Sequence, residues 1–415
     1  MEYPAVRTVD PSVADALEAE VERQRSALQL IASENHASRA VLEAQSSALT
    51  NKYAEGYPGR RYYGGCEHAD TVERLAIERA KDLYGAAHAN VQPHSGTQAN
   101  QAVYYTVLDP GDRILSLDLS NGGHLSHGHP VNFTGQHYDV ETYHVDPDTG
   151  IIDYAELAEK AETFDPDIIV SGYSAYPRIV DWHRVQETAD AVGAYHLADI
   201  AHISGLVATG AHPSPVGIAD FVTASTHKTI RAGRGGMVLC GDEYAEALDK
   251  AVFPGGQGGP LLHNIAGKAV GFAEAMKPSF ETYIDQVLAN ASAMADQLAE
   301  NGFHIVSDGT DTHLFLVDLR PSHPDVSGGD AEDALEAAGI TLNCNTVPGE
   351  TRSAFDPSGV RIGTPALTTR GFDAADCRRV ADLIARVIDA PEDPAVRSSV
   401  ADAVDDLCAA NPLYD

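Results

Sequence analysis

Short, continuous apolar runs alternate with helical stretches from about residue 70 onward, and this alternation constrains the fold more than any other feature of the sequence. Helical periods cover residues 71–84 and 97–108. A run that is apolar throughout its length is typical of a strand buried on both faces. The runs cover residues 113–119, 167–171, 194–200, 221–224 and 237–240. Strand and helix alternation over some 200 residues predicts an open α/β sheet with mainly parallel strands.

A segment rich in glycine and proline, residues 253–260, breaks this alternation. A helical stretch follows it and ends at Pro278, where we place a domain boundary. We therefore predict an N-terminal arm over 1–40, a large α/β domain over 41–278 and a smaller α+β domain over 279–415. Outside the alternating region, the pattern predicts helices over 12–30, 261–276, 281–301, 329–338 and 372–389, and strands over 313–319 and 340–343.

The charge balance excludes several classes of partner. The 415 residues carry 28 Lys and Arg against 61 Asp and Glu, a formal net charge of -33. Such a field repels nucleic acid and anionic membranes, so we predict neither as a partner. A hydrophobic content of 43% is too high for a disordered acidic chain. Because concentrated salt screens a carboxylate shell, the composition favours a protein adapted to high salt.

The cysteines and the N-terminus predict a soluble cytoplasmic protein. The five cysteines are far apart in the sequence and form no C-x-x-C pair, which is typical of thiols in a reducing compartment. Residues 1–26 are acidic and contain Pro4 and Pro11, unlike a secretory signal. No apolar run approaches the ~18 residues that a membrane span needs.

Two predicted strands end on side chains with cofactor chemistry. Asp199 closes the run 194–200, with His202 three residues later, and Lys228 follows the next run beside His227. Ligands of open α/β sheets bind at the carboxyl ends of strands. A partly desolvated lysine amine there can form a Schiff base, and a carboxylate can pair with a pyridinium nitrogen. The pair therefore predicts a site for pyridoxal phosphate.

Other segments fit the remaining parts of such a site. Ser95, Gly96 and Thr97 precede a helix whose N-terminus favours a phosphate, although the same residues also suit an ordinary N-cap. The glycines of residues 255–259 allow a second backbone segment to approach that phosphate. Arg361, in a frame of Gly and Pro, is a candidate for binding a substrate carboxylate. The loop over 51–66 is rich in Tyr and Gly, a composition typical of binding loops.

Three imidazoles in one loop allow a different interpretation. His124, His127 and His129 lie within six residues and could hold zinc, although no carboxylate lies close enough in sequence to complete an open three-ligand set. Alternatively, His124 stacks on a planar cofactor ring. We therefore predict no metal but keep a zinc-dependent hydrolase as an alternative.

Taken together, these motifs resemble those of the serine hydroxymethyltransferase family over nearly the whole length of the chain. The resemblance extends from Leu30-Ile-Ala-Ser-Glu-Asn35 to Arg361-Ile-Gly-Thr-Pro365. The long motifs that carry it cover residues 50–59, 61–67, 90–96, 226–228 and 253–260. It implies a fold-type I transferase dependent on pyridoxal phosphate. One departure is the segment Ile230–Gly235, which lacks the proline that the family usually has before Arg234.

The resemblance implies a role for each matching residue. Lys228 would form the internal aldimine, Asp199 would pair with the pyridine nitrogen, and His124 would lie on the ring face. Ser95, Gly96 and Thr97 would bind the cofactor phosphate, Ser174 and His202 would lie near the phenolic oxygen, and Gly258 and Gly259 would reach the phosphate of the neighbouring subunit. Arg361 and Ser33, with Tyr63 of the other subunit, would bind the substrate carboxylate. Glu55, also from the other subunit, would be the acid–base group, and Tyr53 and His227 would tune it.

The resemblance also implies the reaction. Serine and a reduced pterin would exchange a one-carbon unit, giving glycine and 5,10-methylenetetrahydrofolate, in a homodimer with shared sites; a tetramer stays open. The pterin is tetrahydrofolate or a carrier of the tetrahydromethanopterin type. Residues implied to line its site are Glu55, Leu119, Gly123, His124, Leu125, Asn345, Ser353, Ala354 and Phe355.

Two further alternatives use the same cofactor. A related aldolase would cleave threonine or allo-threonine without a pterin, and the pterin-lining residues argue against it. A non-catalytic protein that only binds pyridoxal phosphate is disfavoured by the presence of Glu55, Lys228 and Arg361. Neither alternative changes the predicted fold.

Overall fold

A computed structural model describes residues 3–414 of the chain. Its helices are α1 Pro4–Val9, α2 Pro11–Ser26, α3 Arg39–Gln45, α4 Glu67–Tyr84, α5 Gly96–Val107, α6 Phe133–His137, α7 Tyr154–Phe164, α8 Trp182–Val192, α9 Ser204–Thr209, α10 Ala245–Lys250, α11 Leu262–Ala275, α12 Pro278–Glu300, α13 Gly328–Glu336, α14 Pro365–Arg370, α15 Ala374–Asp389 and α16 Pro394–Ala410. Its strands are β1 Leu28–Gln29, β2 Gly56–Tyr57, β3 Arg60–Arg61, β4 His88–Asn90, β5 Arg113–Leu117, β6 Asp139–Tyr143, β7 Ile168–Gly172, β8 Tyr195–Asp199, β9 Phe221–Ser225, β10 Gly236–Cys240, β11 His304–Ile305, β12 Leu314–Asp318, β13 Ile340–Thr341, β14 Asn343–Asn345 and β15 Gly359–Gly363.

The chain divides into two compact units. One unit comprises Asn35–Asp285, and the other comprises Met1–Glu34 together with Gln286–Asp415. The sequence predicted three parts instead, with bounds at residues 40 and 278. That division stays a prediction.

The unit Asn35–Asp285 is built on a sheet whose described strands follow the order β4-β10-β9-β8-β7-β5-β6. Strands β6, β5, β7, β8 and β9 are mutually parallel, and β10 is antiparallel to both β9 and β4. Every residue of β7, β9 and β10 is buried, as expected for strands covered on both faces. The predicted α/β class with a mainly parallel sheet is thus confirmed.

All five apolar runs form strands of this sheet within about two residues of the predicted bounds. Strands β4 and β6 escaped the sequence analysis because they lie at the two edges of the sheet. Strand β6, Asp-Val-Glu-Thr-Tyr, has only one buried residue and therefore lacks a continuous apolar run. The edge position explains why its composition is mixed.

The second unit contains an antiparallel sheet of order β11-β12-β15-β14. Two predictions here were wrong. The helix predicted over 12–30 ends at Ser26, because Leu28–Gln29 pairs in parallel with Ile340–Thr341. The single strand predicted over 340–343 is two strands, since β13 pairs with β1 while β14 pairs with β15. Helix α16 was not predicted.

The acidic excess lies largely on exposed helix faces. In α2, Asp15, Glu20 and Glu22 are exposed, and in α16 the same holds for Asp402 and Asp405. These carboxylates contribute to a charged shell, and two of them, Glu22 and Asp405, also line a cavity of about 270 Å³. Among residues 3–414, no helix has the length and apolar character needed to cross a membrane.

Candidate active site

A cavity of about 230 Å³ opens in the unit Asn35–Asp285. Eight of the residues predicted to bind or act on the cofactor line it, together with residues that the sequence analysis did not assign. The lining residues are Ser95, Gly96, Thr97, His124, Tyr173, Ser174, Asp199, Ala201, Ser225, His227, Lys228 and Arg234.

Sheet topology brings these residues together. Because β7, β8 and β9 are parallel, the residues that follow them, Ser174, Asp199 and Lys228, meet at one edge of the sheet. The edge is closely packed at Gly172, where φ is +107° and an added Cβ would lie 2.0 Å from the Asp199 carbonyl oxygen. The sharp turn after β7 therefore requires glycine at this position.

The Asp199 carboxylate is held by three donors. Its Oδ2 accepts hydrogen bonds from His127 Nε2 at 3.0 Å and Asn100 Nδ2 at 2.9 Å, and its Oδ1 accepts one from the Ala201 N–H at 2.9 Å. Burial raises the pKa of this carboxyl, but His127 and Asn100 more than offset that effect and hold the pKa below its usual value. The group is therefore ionised, as a partner for a pyridinium nitrogen must be.

His124 is a neutral imidazole in the same hydrogen-bond network as Asp199. Burial, with the nearby charge of His127, lowers the pKa of His124 to about 4. Its Nδ1 is hydrogen-bonded to Ser126 Oγ at 2.7 Å. A neutral ring suits stacking on a planar cofactor. The zinc alternative gains no support, since His127 is engaged with Asp199 and no group of three metal-ligating side chains occurs in the described part of the chain.

The start of helix α5 forms a cradle that fits a phosphate. Ser95 caps the helix by accepting the Gln98 N–H at 3.3 Å. A Cβ at Gly96 would lie 2.7 Å from Ser225 Oγ, so only glycine leaves this space open. The free N–H groups and the dipole of a twelve-residue helix favour an anion here. Together with ionised Asp199 and buried Lys228, the cradle fits pyridoxal phosphate.

The turn that carries Lys228 is closed by its own backbone despite the missing proline. Arg231 N–H donates to the Lys228 carbonyl at 3.1 Å, and Ala232 N–H donates to Thr226 at 2.8 Å. Arg234 Nη1 lies 3.2 Å from His227 Nε2. Burial, followed by the charges of Arg234 and Lys228, lowers the pKa of His227 to about 3. The turn is thus well defined around Arg234.

A second cluster joins the tyrosine-rich loop to the glycine segment. A Cβ at Gly258 would lie 3.6 Å from Glu55 Oε1, and one at Gly259 would lie 3.3 Å from the Tyr53 ring. The rings of Tyr53 and Tyr63 meet edge to face at 5.3 Å, and both are about half exposed. As far as the structure describes the chain, this cluster (Tyr53, Glu55, Tyr63, Gly258 and Gly259) does not line the cavity.

A buried arginine supports the loop that bears Glu55. Arg61 Nη1 donates to the carbonyls of Ala54 at 2.9 Å and Gly56 at 2.7 Å. The same guanidinium forms ion pairs with Asp70 and Glu73. The backbone on both sides of Glu55 is therefore fixed by one side chain.

The remaining predicted residues lie outside the cavity lining. His202 is buried, and its carbonyl accepts from Thr229 Oγ1 at 2.8 Å. Leu119, Gly123 and Leu125 follow β5, and both leucines are exposed. In the other unit, Ser33 follows β1, Asn345 ends β14, and the loop of Ser353, Ala354 and Phe355 is exposed, with Phe355 98% accessible.

Arg361 lies in β15 of that unit. Its Nε donates to Asn343 Oδ1 at 3.0 Å, and burial lowers its pKa to about 10. The guanidinium still carries its charge at neutral pH. It is therefore suited to binding a carboxylate.

Sequence reasoning assigned no cofactor role to six residues at this site. Asn100 and His127 hold Asp199, while Tyr173, Ala201, Ser225 and Arg234 line the cavity. A signal existed for Asn100, because it lies one helical turn after Gly96 on the buried face of α5. No local signal distinguishes the role of His127 from that of its neighbours.

Comparisons with known proteins agree with this geometry. The family profile described as Serine hydroxymethyltransferase matches residues 6–384. Proteins named Serine hydroxymethyltransferase from Natronomonas pharaonis, Halorubrum lacusprofundi and Haloarcula marismortui are 69%, 68% and 67% identical to this chain. The alignments cover 100% of this chain in each case, and 98%, 100% and 100% of the relatives.

The fold and the site define a transferase of fold type I that depends on pyridoxal phosphate. With a family profile over most of its length and full-length relatives at this identity, the chain belongs to the serine hydroxymethyltransferase family. Enzymes of this family use pyridoxal phosphate and tetrahydrofolate to interconvert serine and glycine.

Proposed function

We propose a role for each site residue in the reaction of this enzyme, which interconverts serine plus tetrahydrofolate with glycine plus 5,10-methylenetetrahydrofolate. The observation that carries the proposal is the convergence of Lys228, ionised Asp199 and the α5 N-terminus on one cavity. When bound, pyridoxal phosphate supplies an electron sink for the bond cleaved in serine. Lys228 holds the cofactor covalently, and Asp199 keeps the proton at the ring nitrogen.

The other cavity residues bind and orient. Ser95, Gly96 and Thr97 would donate to the phosphate, and neutral His124 would contact the face of the cofactor ring. Ser174 and His202 hold the phenolic oxygen, and His227, whose pKa is lowered by burial, tunes the site without adding charge. Asp199 is the only carboxylate among the residues that line the described cavity.

Substrate contacts come from elsewhere in the chain. Arg361 and Ser33 bind the carboxylate of serine, and Glu55 moves a proton between the hydroxymethyl group and the pterin. The pterin, tetrahydrofolate or one of the tetrahydromethanopterin type, lies against Leu119, Gly123, Leu125, Asn345, Ser353, Ala354 and Phe355. The exposure of Leu119 and Leu125, which lie in one unit, supports their contact with an aromatic ligand.

We also propose a homodimer in which each subunit completes the other's site. The partly exposed cluster of Tyr53, Glu55, Tyr63, Gly258 and Gly259 supports this arrangement, because catalytic groups outside the cavity need a second chain to serve it. Mixing inactive Lys228→Ala and Glu55→Ala proteins tests the idea. Reassorted dimers contain one intact site, so about a quarter of the wild-type activity should return. Independent sites would return none.

We place the enzyme in the cytoplasm. All five cysteines are free, and four of them are buried. A reducing compartment keeps such thiols unpaired.

The activity itself is tested by following serine consumption with and without a reduced pterin. We expect glycine and a one-carbon adduct of the pterin to form together, and Lys228→Ala to abolish both. Cleavage of threonine or allo-threonine at a rate independent of pterin, with no transfer from serine, would instead establish the aldolase.

A further inference from the structure

Lys268 is a fully buried lysine that none of the proposed roles uses. It lies in helix α11, is 2% exposed, and is one of seven lysines in the chain. A buried lysine is costly unless its ammonium is fully hydrogen-bonded. Its position therefore requires a specific set of partners.

The ammonium of Lys268 has one acceptor for each of its three protons. It donates to the carbonyl oxygens of Val91 at 2.7 Å, Pro93 at 3.0 Å and Gly236 at 2.8 Å. Burial lowers the pKa of Lys268 to about 7, while the charge of Glu73 acts in the opposite direction. A neutral amine has only two N–H donors, so all three bonds exist only in the charged form.

The three carbonyls belong to the backbone that leads into the phosphate cradle. Residues 91–95 connect β4 to α5, and Gly236 begins β10, where its N–H donates to the Pro93 carbonyl at 3.0 Å. A Cβ at Gly236 would lie 2.3 Å from the Ser95 carbonyl oxygen. Lys268 thus connects the segment of residues 91–95 with the start of β10 through its three hydrogen bonds.

The charge also acts on the surroundings of the cradle. After burial, the ammonium of Lys268 is the next cause that lowers the pKa of His94, the residue before the Ser95 cap. A Cβ at Gly235 would lie 2.3 Å from Lys268 Cε, so glycine leaves the room that the side chain occupies. The amine of Lys268 is therefore held close to residues 94–97.

We propose that Lys268 is a positioning residue for the cofactor phosphate. It holds the backbone of residues 91–95 so that the N–H groups at the start of α5 face the anion, and its charge, when the amine is protonated, adds to the field of the helix N-terminus. The inference rests on the proposed function, because it concerns the phosphate of pyridoxal phosphate. It assigns no contact between Lys268 and the cofactor.

The test compares pyridoxal phosphate with pyridoxal, which lacks the phosphate. Cofactor-free full-length wild type, Lys268→Met and the exposed control Lys277→Met are titrated with each compound, and binding is followed by visible absorbance. We expect Lys268→Met to weaken pyridoxal phosphate binding by about 10- to 100-fold. Pyridoxal binding should change by less than about threefold, and Lys277→Met should match the wild type.

An equal loss for both compounds, or no loss for either, would overturn the proposal. If Lys268→Met does not fold, Lys268→Gln, which keeps two donors without the charge, is titrated in the same way. Failure of both variants to fold would mean that Lys268 serves the fold as a whole and would also overturn the proposal. Failure of the proposed function is distinguishable, since the wild type itself would then bind neither compound.

Discussion

His127 donates a hydrogen bond from Nε2 to Asp199 Oδ2 across 3.0 Å, deep in the unit that carries the cavity. Asn100 donates to the same oxygen and also to Ser126 Oγ, and Ser126 Oγ is hydrogen-bonded to His124 Nδ1. One network therefore connects the residue proposed for the ring nitrogen with the residue proposed for the ring face. Its members fix each other's orientation.

We expect Asn100→Ala to lower kcat for serine about 10- to 100-fold, because the loss of one donor raises the pKa of Asp199 and so draws the proton away from the ring nitrogen toward the carboxylate. Gln101→Ala, on the same helix with a side chain bonded to exposed Tyr105, is the control. Steady-state kinetics on both variants checks this. An unchanged kcat in Asn100→Ala would show that His127 alone suffices.

Because the pKa of His124 is lowered to about 4, we expect the free energy of unfolding to decrease as the pH is lowered. The unfolded chain binds a proton below about pH 6.5, whereas folded His124 stays neutral until about pH 4, so unfolding is favoured as pH drops through that window. Between pH 7 and pH 5 we expect a loss of up to about 2 kcal/mol from this group. Denaturant unfolding of cofactor-free protein at constant salt measures it.

His124→Phe should remove that contribution and flatten the pH dependence. Exposed His137→Phe serves as the control and should keep the wild-type slope. Identical slopes in all three proteins would contradict the assignment of the effect to His124.

The hydrogen bonds of Arg370 predict that this residue stabilises the unit that contains it. Within its own unit, its guanidinium donates to the carbonyls of Asn411 at 2.7 Å, Ala27 at 3.0 Å and Gln24 at 3.1 Å, at the ends of helices α16 and α2. Arg370→Leu leaves these acceptors without a donor and should cost about 3–5 kcal/mol of unfolding free energy. Exposed Arg379→Leu should cost less than about 1 kcal/mol, and an equal loss would contradict this reading.

The acidic shell predicts a dependence on salt. With a net charge of -33, self-repulsion is strong in dilute buffer and screened at molar concentrations. The relatives from halophilic organisms fit this expectation. We expect the Tm to rise by about 5–10 °C between dilute buffer and molar KCl, measured by thermal unfolding. A Tm that is no lower in dilute buffer would contradict salt adaptation.

The sequence predicted those parts of the fold and site that depend on local pattern. Strands β7, β8 and β9 are buried on both faces, so their apolar runs were recognisable, and the polar residues after them followed from the edge rule for α/β sheets. Edge strand β6 and the short pairing of β1 with β13 lacked such a pattern, because both depend on a distant partner.

The same distinction holds for the site. Asp199 ends strand β8 and Lys228 lies three residues after strand β9, and the two were predicted as a pair. Asn100, His127 and Lys268 act through hydrogen bonds to residues that are distant in sequence, and a buried amide, imidazole or ammonium has no periodic signal of its own. Tertiary packing alone reveals what they support.

The central claim, that Lys228 holds the cofactor, is tested most directly by borohydride reduction of the purified protein followed by peptide mass spectrometry. Reduction should bleach the visible absorbance and leave a phosphopyridoxyl group on Lys228, and Lys228→Ala should carry no such group. A reduced adduct on any of the other six lysines instead, or an adduct retained by Lys228→Ala, would contradict the account.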